Sequence, residues 1–415
     1  MTPLPARVTC CIAGGGPAGI MLGFLLARAG VEVLVLEKHG DFLRDFRGDT
    51  IHPSTLQLMD ELGLLAAFLR RPHQEIRELH GIIGDTDVTI ADFSHLPTRC
   101  KFVAMIPQWD FLDFLSEAGR QYPSFHLEME TEATGLLIEG DRVVGLVART
   151  AAGEQEIRAD LVIGADGRHS VVRERAGLEA TDIGAPIDVL WMRLSKKDGD
   201  PGQTAGRLVS GRLLVMLDRG DYWQCAYVIR KGGYDAMRAR GIENFRHELV
   251  GIAPFLQDRV AELQDWDDIK LLTVAVDRLK EWWRPGLLCI GDAAHAMSPI
   301  GGVVINLAVQ DAVAAANILA DPLRDGKLTV EHLQAVQRRR TLPMRVIQRV
   351  QVIIQTRILD RVIGSDKPVT APFAVRLFNW IPWLRRIPAR LVGMGIRPEH
   401  IRTPNRTAVR PVQQT

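Results

Sequence analysis

The sequence predicts an α/β protein in which a discontinuous parallel-sheet domain carries an inserted antiparallel sheet and is followed by a helical C-terminal region. A strand-length apolar run, a glycine-rich turn and an apolar helix open the chain. Two later segments, DLVIGADGRHSVVR and GDAAHAMSPIGG, each follow or contain a further buried strand. Between them, residues 182–229 contain strand-like runs without long helices, which indicates an antiparallel sheet.

The first βαβ unit carries the spacing G-x-G-x-x-G at Gly14, Gly16 and Gly19. Gly14 permits a tight turn, Gly16 lets a pyrophosphate approach the backbone, and Gly19 lets the helix pack on the strand. Glu37 ends the next apolar strand, where an acidic side chain would accept hydrogen bonds from an adenosine ribose. The pattern predicts a Rossmann-like dinucleotide site. The alternative is a glycine-rich turn that binds no ligand.

The remaining elements follow from periodicity and from turn and capping residues. Helices are predicted at 53–62, 108–120, 308–319 and 330–359, strands at 101–106, 160–164, 271–276 and 287–290, and a hairpin at 134–150. The predicted domains are a discontinuous dinucleotide-binding domain (5–72, 100–180 and 270–325), a substrate domain (73–99 and 181–269) and a C-terminal helical region (326–415).

Composition is that of an ordinary globular protein, with 47% hydrophobic and 24% charged residues in 415. The uncharged stretch 8–27 resembles a signal peptide or a membrane span, but its five glycines and one proline argue against both. We therefore expect a cytoplasmic protein. The five cysteines form no C-x-x-C, so reduced thiols are favoured over disulfides, and no metal site is predicted. Nothing indicates a nucleic-acid partner.

These segments together resemble the class A flavoprotein monooxygenases, the family of p-hydroxybenzoate hydroxylase and the ubiquinone-pathway hydroxylases, over residues 5 to 350. Asp166 and Gly167, with the arginines and serine that follow, match the DG motif of that family, and 291–299 matches its GD motif. The resemblance implies FAD as cofactor, NADPH or NADH as electron donor, and dioxygen as co-substrate. It also implies hydroxylation of a small aromatic or lipophilic substrate (phenolic, polyketide or quinone-like) through a flavin C4a-hydroperoxide.

The resemblance also assigns site residues. Arg47 and Gln108 would contact the flavin ring edge and the ribityl chain, Asp292 a ribityl hydroxyl, and Pro299 would lie beside the isoalloxazine. The predicted cofactor-binding residues are Gly14, Gly16, Pro17, Ala18, Gly19, Glu37, Lys38, Arg47, Gln108, Asp166, Gly167, Asp292, Pro299, Gly302, Val304, Ile305 and Asn306. The predicted catalytic residues are Arg47, Pro299 and His52, and the predicted substrate contacts are Trp223, Tyr227 and Met216.

Several of these side chains have simpler alternative roles. Asp292 could only cap a helix, Asp166 could be a turn residue, and Gln108 and Arg47 could be solvent-exposed polar groups. His52, and His295 beside the proposed ring site, could each be a hydrogen-bonded structural residue.

One position departs from the family pattern. After Pro299 the family reads G-G-x-G-x-N, whereas this chain has Gly301, Gly302 and then Val304 in place of the last glycine before Asn306. A branched side chain there would crowd the flavin ring or exclude a positive φ. A non-catalytic FAD-binding function therefore stays an alternative for this chain. Another flavin reaction, such as halogenation, epoxidation or isoprenoid reduction, is also open, although the halogenase motif W-x-W-x-I-P is missing. A plain NAD dehydrogenase is disfavoured, because it does not need the distal GD segment.

Charge is concentrated at the C-terminus. From Glu331 onward there are fifteen arginines and one lysine against four acidic residues, although the whole chain carries a net charge of only +1. The segment 371–396 combines aromatic residues with arginines, which is typical of peripheral membrane contact. The alternatives are packing over the mouth of the substrate pocket or a contact in a homodimer.

Overall fold

The computed structural model describes residues 4–43, 49–201, 205–359, 363 and 370–406. Arg47, for which a cofactor contact and a catalytic role were predicted, lies outside these residues. The strands are β1 (Arg7–Ala13), β2 (Val33–Leu36), β3 (Thr50–Ile51), β4 (Gln74–Ile76), β5 (Glu78–Ile83), β6 (Thr86–Asp92), β7 (Val103–Met105), β8 (Phe125–Glu128), β9 (Glu132–Glu139), β10 (Arg142–Thr150), β11 (Gly153–Gly164), β12 (Ala180–Asp182), β13 (Ile187–Ser195), β14 (Ala205–Val209), β15 (Arg212–Asp218), β16 (Tyr222–Arg230), β17 (Lys270–Leu272), β18 (Asp277–Leu279), β19 (Trp283–Arg284) and β20 (Leu287–Cys289). The α-helices are α1 (Pro17–Arg28), α2 (Pro53–Glu61), α3 (Leu65–Phe68), α4 (Gln108–Arg120), α5 (Val171–Arg175), α6 (Tyr234–Ala239), α7 (Ile242–Ile252), α8 (Val304–Arg324), α9 (Val330–Ile353), α10 (Phe373–Trp380) and α11 (Arg386–Gly393).

The glycine-rich turn directly follows β1, which is a central strand of the first large sheet. Its strand order is β19-β20-β11-β1-β2-β8, and β10 and β9 extend β11 as an antiparallel hairpin. β1 lies between β11 and β2, and both pairings are parallel. Strand β1 reads as a continuous apolar run because helices such as α1 and α8 and the sheet itself bury it, with Cys10, Cys11 and Ile12 fully inaccessible. The predicted α/β class and the predicted hairpin are therefore confirmed.

The second large sheet is formed mainly by antiparallel pairing. Its order is β17-β13-β16-β15-β14-β5-β6, and only β14 and β5 run parallel. The sequence prediction for residues 271–276 was wrong: the strand ends at Leu272, and β17 pairs antiparallel with β13, with Leu272 opposite Val189, and does not join the parallel core. A three-residue apolar edge strand has the same pattern in either sheet, so periodicity could not assign it.

The C-terminal helices connect the two sheets. α8 packs on α1, and α9 follows it as predicted but ends at Ile353, where a π-helical turn (Ile354–Leu359) continues. α10 and α11 lie against β6 of the second sheet. The stretch Ile300–Arg324 has the length and apolar composition of a membrane-spanning helix, but 83% of its most apolar window is buried inside the protein.

Candidate active site

The glycine-rich turn after β1 is built for close backbone contact. Gly14 has φ +105°, and a Cβ atom there would lie 2.4 Å from the carbonyl oxygen of Ala165 in the DG segment. A Cβ at Gly19 would lie 1.9 Å from the carbonyl oxygen of Gly14. Around Gly16, the N-cap of α1, no atom of the described residues other than Gly16 itself and its two chain neighbours lies within 4 Å of such a Cβ. The turn is therefore tightly packed against the protein but open at Gly16, where the free N–H groups of α1 can bind phosphate.

Glu37 lies beside this turn at the end of β2. One of its carboxylate oxygens accepts a hydrogen bond from the Gly15 N–H and the other from the His39 N–H, both at 3.1 Å. The side chain is buried, while the neighbouring Lys38 is exposed. The structure thus fixes a carboxylate next to the glycine turn, the position expected of a ribose-binding acid.

The DG segment begins directly at the end of β11. Asp166 accepts hydrogen bonds from the Ser170 hydroxyl and, at 3.2 Å, from the Val172 N–H. It therefore caps the short helix α5, and burial raises the pKa of its carboxyl group. Gly167 follows with φ +87°. Capping accounts for the hydrogen bonds of Asp166, so its cofactor contact stays a prediction.

The GD segment meets the other two at the same edge of the sheet. Gly291 has φ +60°, and a Cβ there would lie 3.2 Å from the Cβ of Ala18 and 3.4 Å from that of Ala308. The turn lies closely packed between α1 and α8. The short distances and the positive φ together favour glycine at this position. Asp292 lies on this turn and is partly exposed. β1, β11 and β20 are parallel neighbours, so their carboxyl ends bring the three remote segments together.

The segment after Pro299 removes the backbone part of the conflict expected at Val304. The positive φ angles lie at Gly301 (+80°) and Gly302 (+62°), whereas Val304 is the first residue of α8 and has no positive φ. Its side chain is partly buried against the main core, and that of Ile305 is inside it. The branched residue is therefore compatible with the backbone, and the contacts of Val304 and Ile305 with the flavin ring stay predictions.

Asn306 holds the start of α8 against the β3–α2 connection. Its side-chain oxygen accepts hydrogen bonds from the His52 N–H (3.0 Å) and the Thr55 hydroxyl (2.6 Å), and its amide donates to the Thr50 carbonyl (3.2 Å). The Thr50 hydroxyl donates to the carbonyl of Gly302. These bonds show that Asn306 positions the start of α8, and one N–H of its amide remains for the predicted cofactor contact.

His52 occupies a structural position. Its ring is 1% exposed, and Nδ1 donates to the Val392 carbonyl at 2.7 Å. Burial lowers its pKa to about 4, so the ring is neutral at pH 7. This geometry favours the structural alternative over the predicted catalytic role.

Gln108, the first residue of α4, is half-buried, and its N–H donates to the carboxylate of Asp49. Asp49 also pairs with Arg219 at the end of β15, and both side chains are 7% exposed. This buried ion pair links the cofactor side of the protein to the second sheet. Sequence reasoning missed it, because the two residues are far apart in the chain.

A buried network of charged side chains, centred on α8, supports the GD segment. Asp311 on α8 accepts a hydrogen bond from the Gly291 N–H (3.2 Å) and contacts Nε2 of His295 (2.6 Å) and Nε of Arg340 (2.8 Å). Arg340 also pairs with Glu399. Burial opposes ionisation of Asp311, but His295 and Arg340 hold its pKa below the usual value. His295 is therefore a hydrogen-bonded structural residue. The only sequence signal for the network was an acid inside an otherwise apolar helix.

The three predicted substrate contacts lie on the wrong face of the second sheet. Trp223, Met216 and Tyr227 point into a core formed with α6 and α7, and none is more than 3% exposed. The Trp223 indole N–H donates to Asp200, and the Tyr227 hydroxyl donates to Glu248. The prediction was wrong because alternation along a strand shows that two faces exist but not which one is covered.

The opposite face of the second sheet faces the segment that begins at Pro299. Its buried residues include Val189, Ala226 and Val228, and partly buried Trp191 and Ile300 pack against them. Ile300 directly follows Pro299, so this apolar face meets the segment expected at the flavin ring. Among the residues that the structure describes, no three His, Cys, Asp or Glu side chains are grouped to hold a metal ion.

The chain belongs to the FAD binding domain family, whose model matches residues 7–350. It is 34% identical over 389 residues to 6-methylpretetramide 4-monooxygenase of Streptomyces rimosus, with 92% of each chain covered. It is 26% identical over 333 residues to dialkyldecalin synthase of Streptomyces rugosporus, covering 74% of this chain and 63% of that protein. The solved structure of anhydrotetracycline hydroxylase from Streptomyces rimosus has a TM-score of 0.73 at 22% identity, covering 95% of this chain and 77% of that one.

These comparisons confirm the predicted family, the fold and FAD as the cofactor. The residues present fit that group: Gly16 leaves open space at a helix N-terminus, and a fixed carboxylate stands beside it. The contacts of individual site residues with FAD stay predictions.

Proposed function

We propose that the protein is a monooxygenase that hydroxylates a polycyclic aromatic substrate of polyketide type, using NADPH or NADH and dioxygen. Similarity to 6-methylpretetramide 4-monooxygenase over 92% of both chains is the observation that carries this proposal. Bound FAD supplies the redox chemistry, taking electrons from the nicotinamide and activating oxygen.

The chain itself has three tasks. It holds the dinucleotide through the Gly14–Gly19 turn, Glu37 and the GD segment. It positions residues 299–306, the segment expected beside the flavin ring, through Asn306, which ties the start of α8 to the β3–α2 connection. It also excludes water from the reacting groups, because the sheet face that carries Ala226 and Val228 is apolar where it meets Ile300. We assign the substrate pocket to this face.

The nicotinamide donor has a candidate approach at the DG segment. A surface cleft of about 340 Å³ is lined by Arg168, His169, Ser170, Arg173, Glu174 and Leu178. Arg173 is already paired with Asp277 at 3.3 Å, and Arg168 donates to the Thr273 carbonyl. The basic side chains support a phosphate-bearing donor at this cleft. A homodimer and a cytoplasmic location stay predictions.

The test uses the purified yellow protein, a panel of polycyclic phenols, NADPH or NADH, and isotopically labelled dioxygen. We expect substrate-dependent oxidation of the nicotinamide and a product that carries one labelled oxygen atom. A protein that retains FAD but forms no labelled product with any member of the panel would contradict hydroxylation.

A second candidate function is a reaction on this fold that adds no oxygen. Similarity to dialkyldecalin synthase supports it. In that case the panel would show conversion of a ligand without label and without consumption of the nicotinamide.

A further inference from the structure

The segment 371–396, which we call the C-terminal aromatic segment, exposes large apolar side chains to solvent. The exposed fractions are 67% for Phe373, 68% for Trp380, 60% for Trp383 and 59% for Ile387. Among the large apolar side chains that are exposed in the described part of the chain, every aromatic one lies in this segment. A concentration of this kind marks an interaction surface, whereas single exposed residues do not.

Both helices of the segment present the same kind of outer stripe. On α10, Phe373, Arg376 and Trp380 are exposed at helical spacing, and the two aromatic rings contact each other edge-to-face at 6.0 Å. On α11 the outward residues are Arg386, Ile387 and Arg390. Each stripe therefore combines apolar and cationic groups on one side of its helix.

The inner side of the segment is already occupied. Ala389 and Gly393 of α11 are buried, and a Cβ at Gly393 would lie 2.7 Å from Cδ1 of Leu96. The Asn379 amide donates to the Asp87 carbonyl at 2.7 Å. Since the helices are fixed to the second sheet through this side, the outer stripes cannot turn inward to bury their aromatic rings.

Charge distinguishes between the partners that could cover this surface. Residues 371–398 contain five arginines and no acidic residue. A two-fold contact between copies of this chain would place the same patch on both sides, so the segment would offer no acidic partner to its arginines. Anionic phospholipid headgroups complement them instead. Tryptophan also prefers the headgroup level of a bilayer, with its ring in the apolar boundary.

We propose that the C-terminal aromatic segment docks the protein on anionic phospholipid bilayers. Phe373, Trp380 and Trp383 enter the headgroup region, while Arg386 and Arg390 bind lipid phosphates. This binding mode is peripheral, with the helices lying in the plane of the interface. It does not depend on which reaction the flavin site performs.

The test is co-sedimentation of the FAD-loaded full-length protein with phosphatidylglycerol/phosphatidylcholine vesicles and with pure phosphatidylcholine vesicles. We expect binding to the anionic vesicles that weakens as salt is raised, and little binding to the neutral ones. Trp380→Ala with Trp383→Ala, and separately Arg386→Gln with Arg390→Gln, should each weaken partitioning by about tenfold or more.

Matched controls lie on the β9–β11 extension of the first sheet. Ile138→Ala removes an apolar side chain that is 42% exposed, and Arg149→Gln with Arg158→Gln removes two exposed arginines. These variants should bind vesicles like the wild type. All variants should retain FAD and the wild-type urea midpoint, since the altered side chains are exposed.

Three results would overturn the proposal. One is absence of binding to anionic vesicles at low salt. Another is equal loss of binding in the control and segment variants, which would indicate non-specific charge attraction. The third is a dimer, detected by light scattering, that Trp380→Ala with Trp383→Ala dissociates, since the surface would then be a contact between copies of the chain.

Discussion

The two large sheets of the protein differ in what covers their faces. The first sheet lies within the main hydrophobic core, and its turns present backbone N–H groups and glycines at one edge. The second sheet covers one face with α6 and α7 and directs the other at Ile300. The first arrangement is appropriate for a cofactor that never changes, because backbone N–H groups recognise its phosphate groups whatever the side chains are. A variable substrate suits the second, because side chains on the face opposite α6 and α7 can change without loss of the core that those helices form.

The largest expected effect separates the two faces of the second sheet. Trp223→Ala removes a fully buried ring and should lower the free energy of unfolding by about 3–5 kcal/mol. Trp191→Ala, on the face directed at Ile300, should cost clearly less stability but should uncouple nicotinamide oxidation from product formation. Urea titrations and coupled assays measure the two quantities. Equal stability losses without uncoupling would remove the distinction between the faces.

The burial of His52 on the β3–α2 connection should show itself in the pH dependence of stability. The pKa of His52 falls from 6.5 to about 4 on folding, so the unfolded chain binds a proton that the folded chain does not. Its contribution is complete above pH 6.5 and is lost as the pH falls towards 4, by about 2 kcal/mol at pH 5. His52→Gln should flatten the fall in urea stability between pH 7 and 5, whereas the exposed His247→Gln should not. Parallel pH profiles for wild type and His52→Gln would contradict this.

The backbone recognition at the first sheet is tested at Gly16. Because a Cβ there meets no protein atom, Gly16→Ala should leave the urea midpoint of the apo-protein unchanged. The methyl group would occupy the space needed by the pyrophosphate, so FAD affinity should fall by about tenfold or more in fluorescence titrations. Gly251→Ala, on the exposed side of α7, is the control: it should leave FAD affinity unchanged and can only raise the urea midpoint, because alanine is the better helix former. Unchanged FAD affinity in Gly16→Ala would place the pyrophosphate elsewhere.

The smallest effect is expected at Val304. Since this residue has no positive φ, Val304→Gly relieves no backbone strain, and it costs about 1 kcal/mol through lost partial burial and weaker helix propensity at the start of α8. FAD should bind at least as tightly as in the wild type. Markedly weaker binding would show that the valine side chain contributes to the ring site.

The first sheet was more predictable than the second for a physical reason. Gly14, Gly16 and Gly19 encode their backbone geometry locally, and helix α4 matches the predicted bounds 108–120. The two faces of β16 differ in which elements cover them, and strand alternation does not tell which face α7 will cover. The role of Asp311 was likewise hidden, because its partners Arg340 and Glu399 come from later elements.

The link from Asp311 through Arg340 to Glu399 has a consequence for biosynthesis. A nascent chain still lacking residue 399 leaves the buried Arg340 with one of its two carboxylate partners missing, and Arg340 in turn supports the turn at Gly291. A chain that lacks this carboxylate should therefore hold its vitamin-derived nucleotide less firmly and lose its colour more readily on dilution.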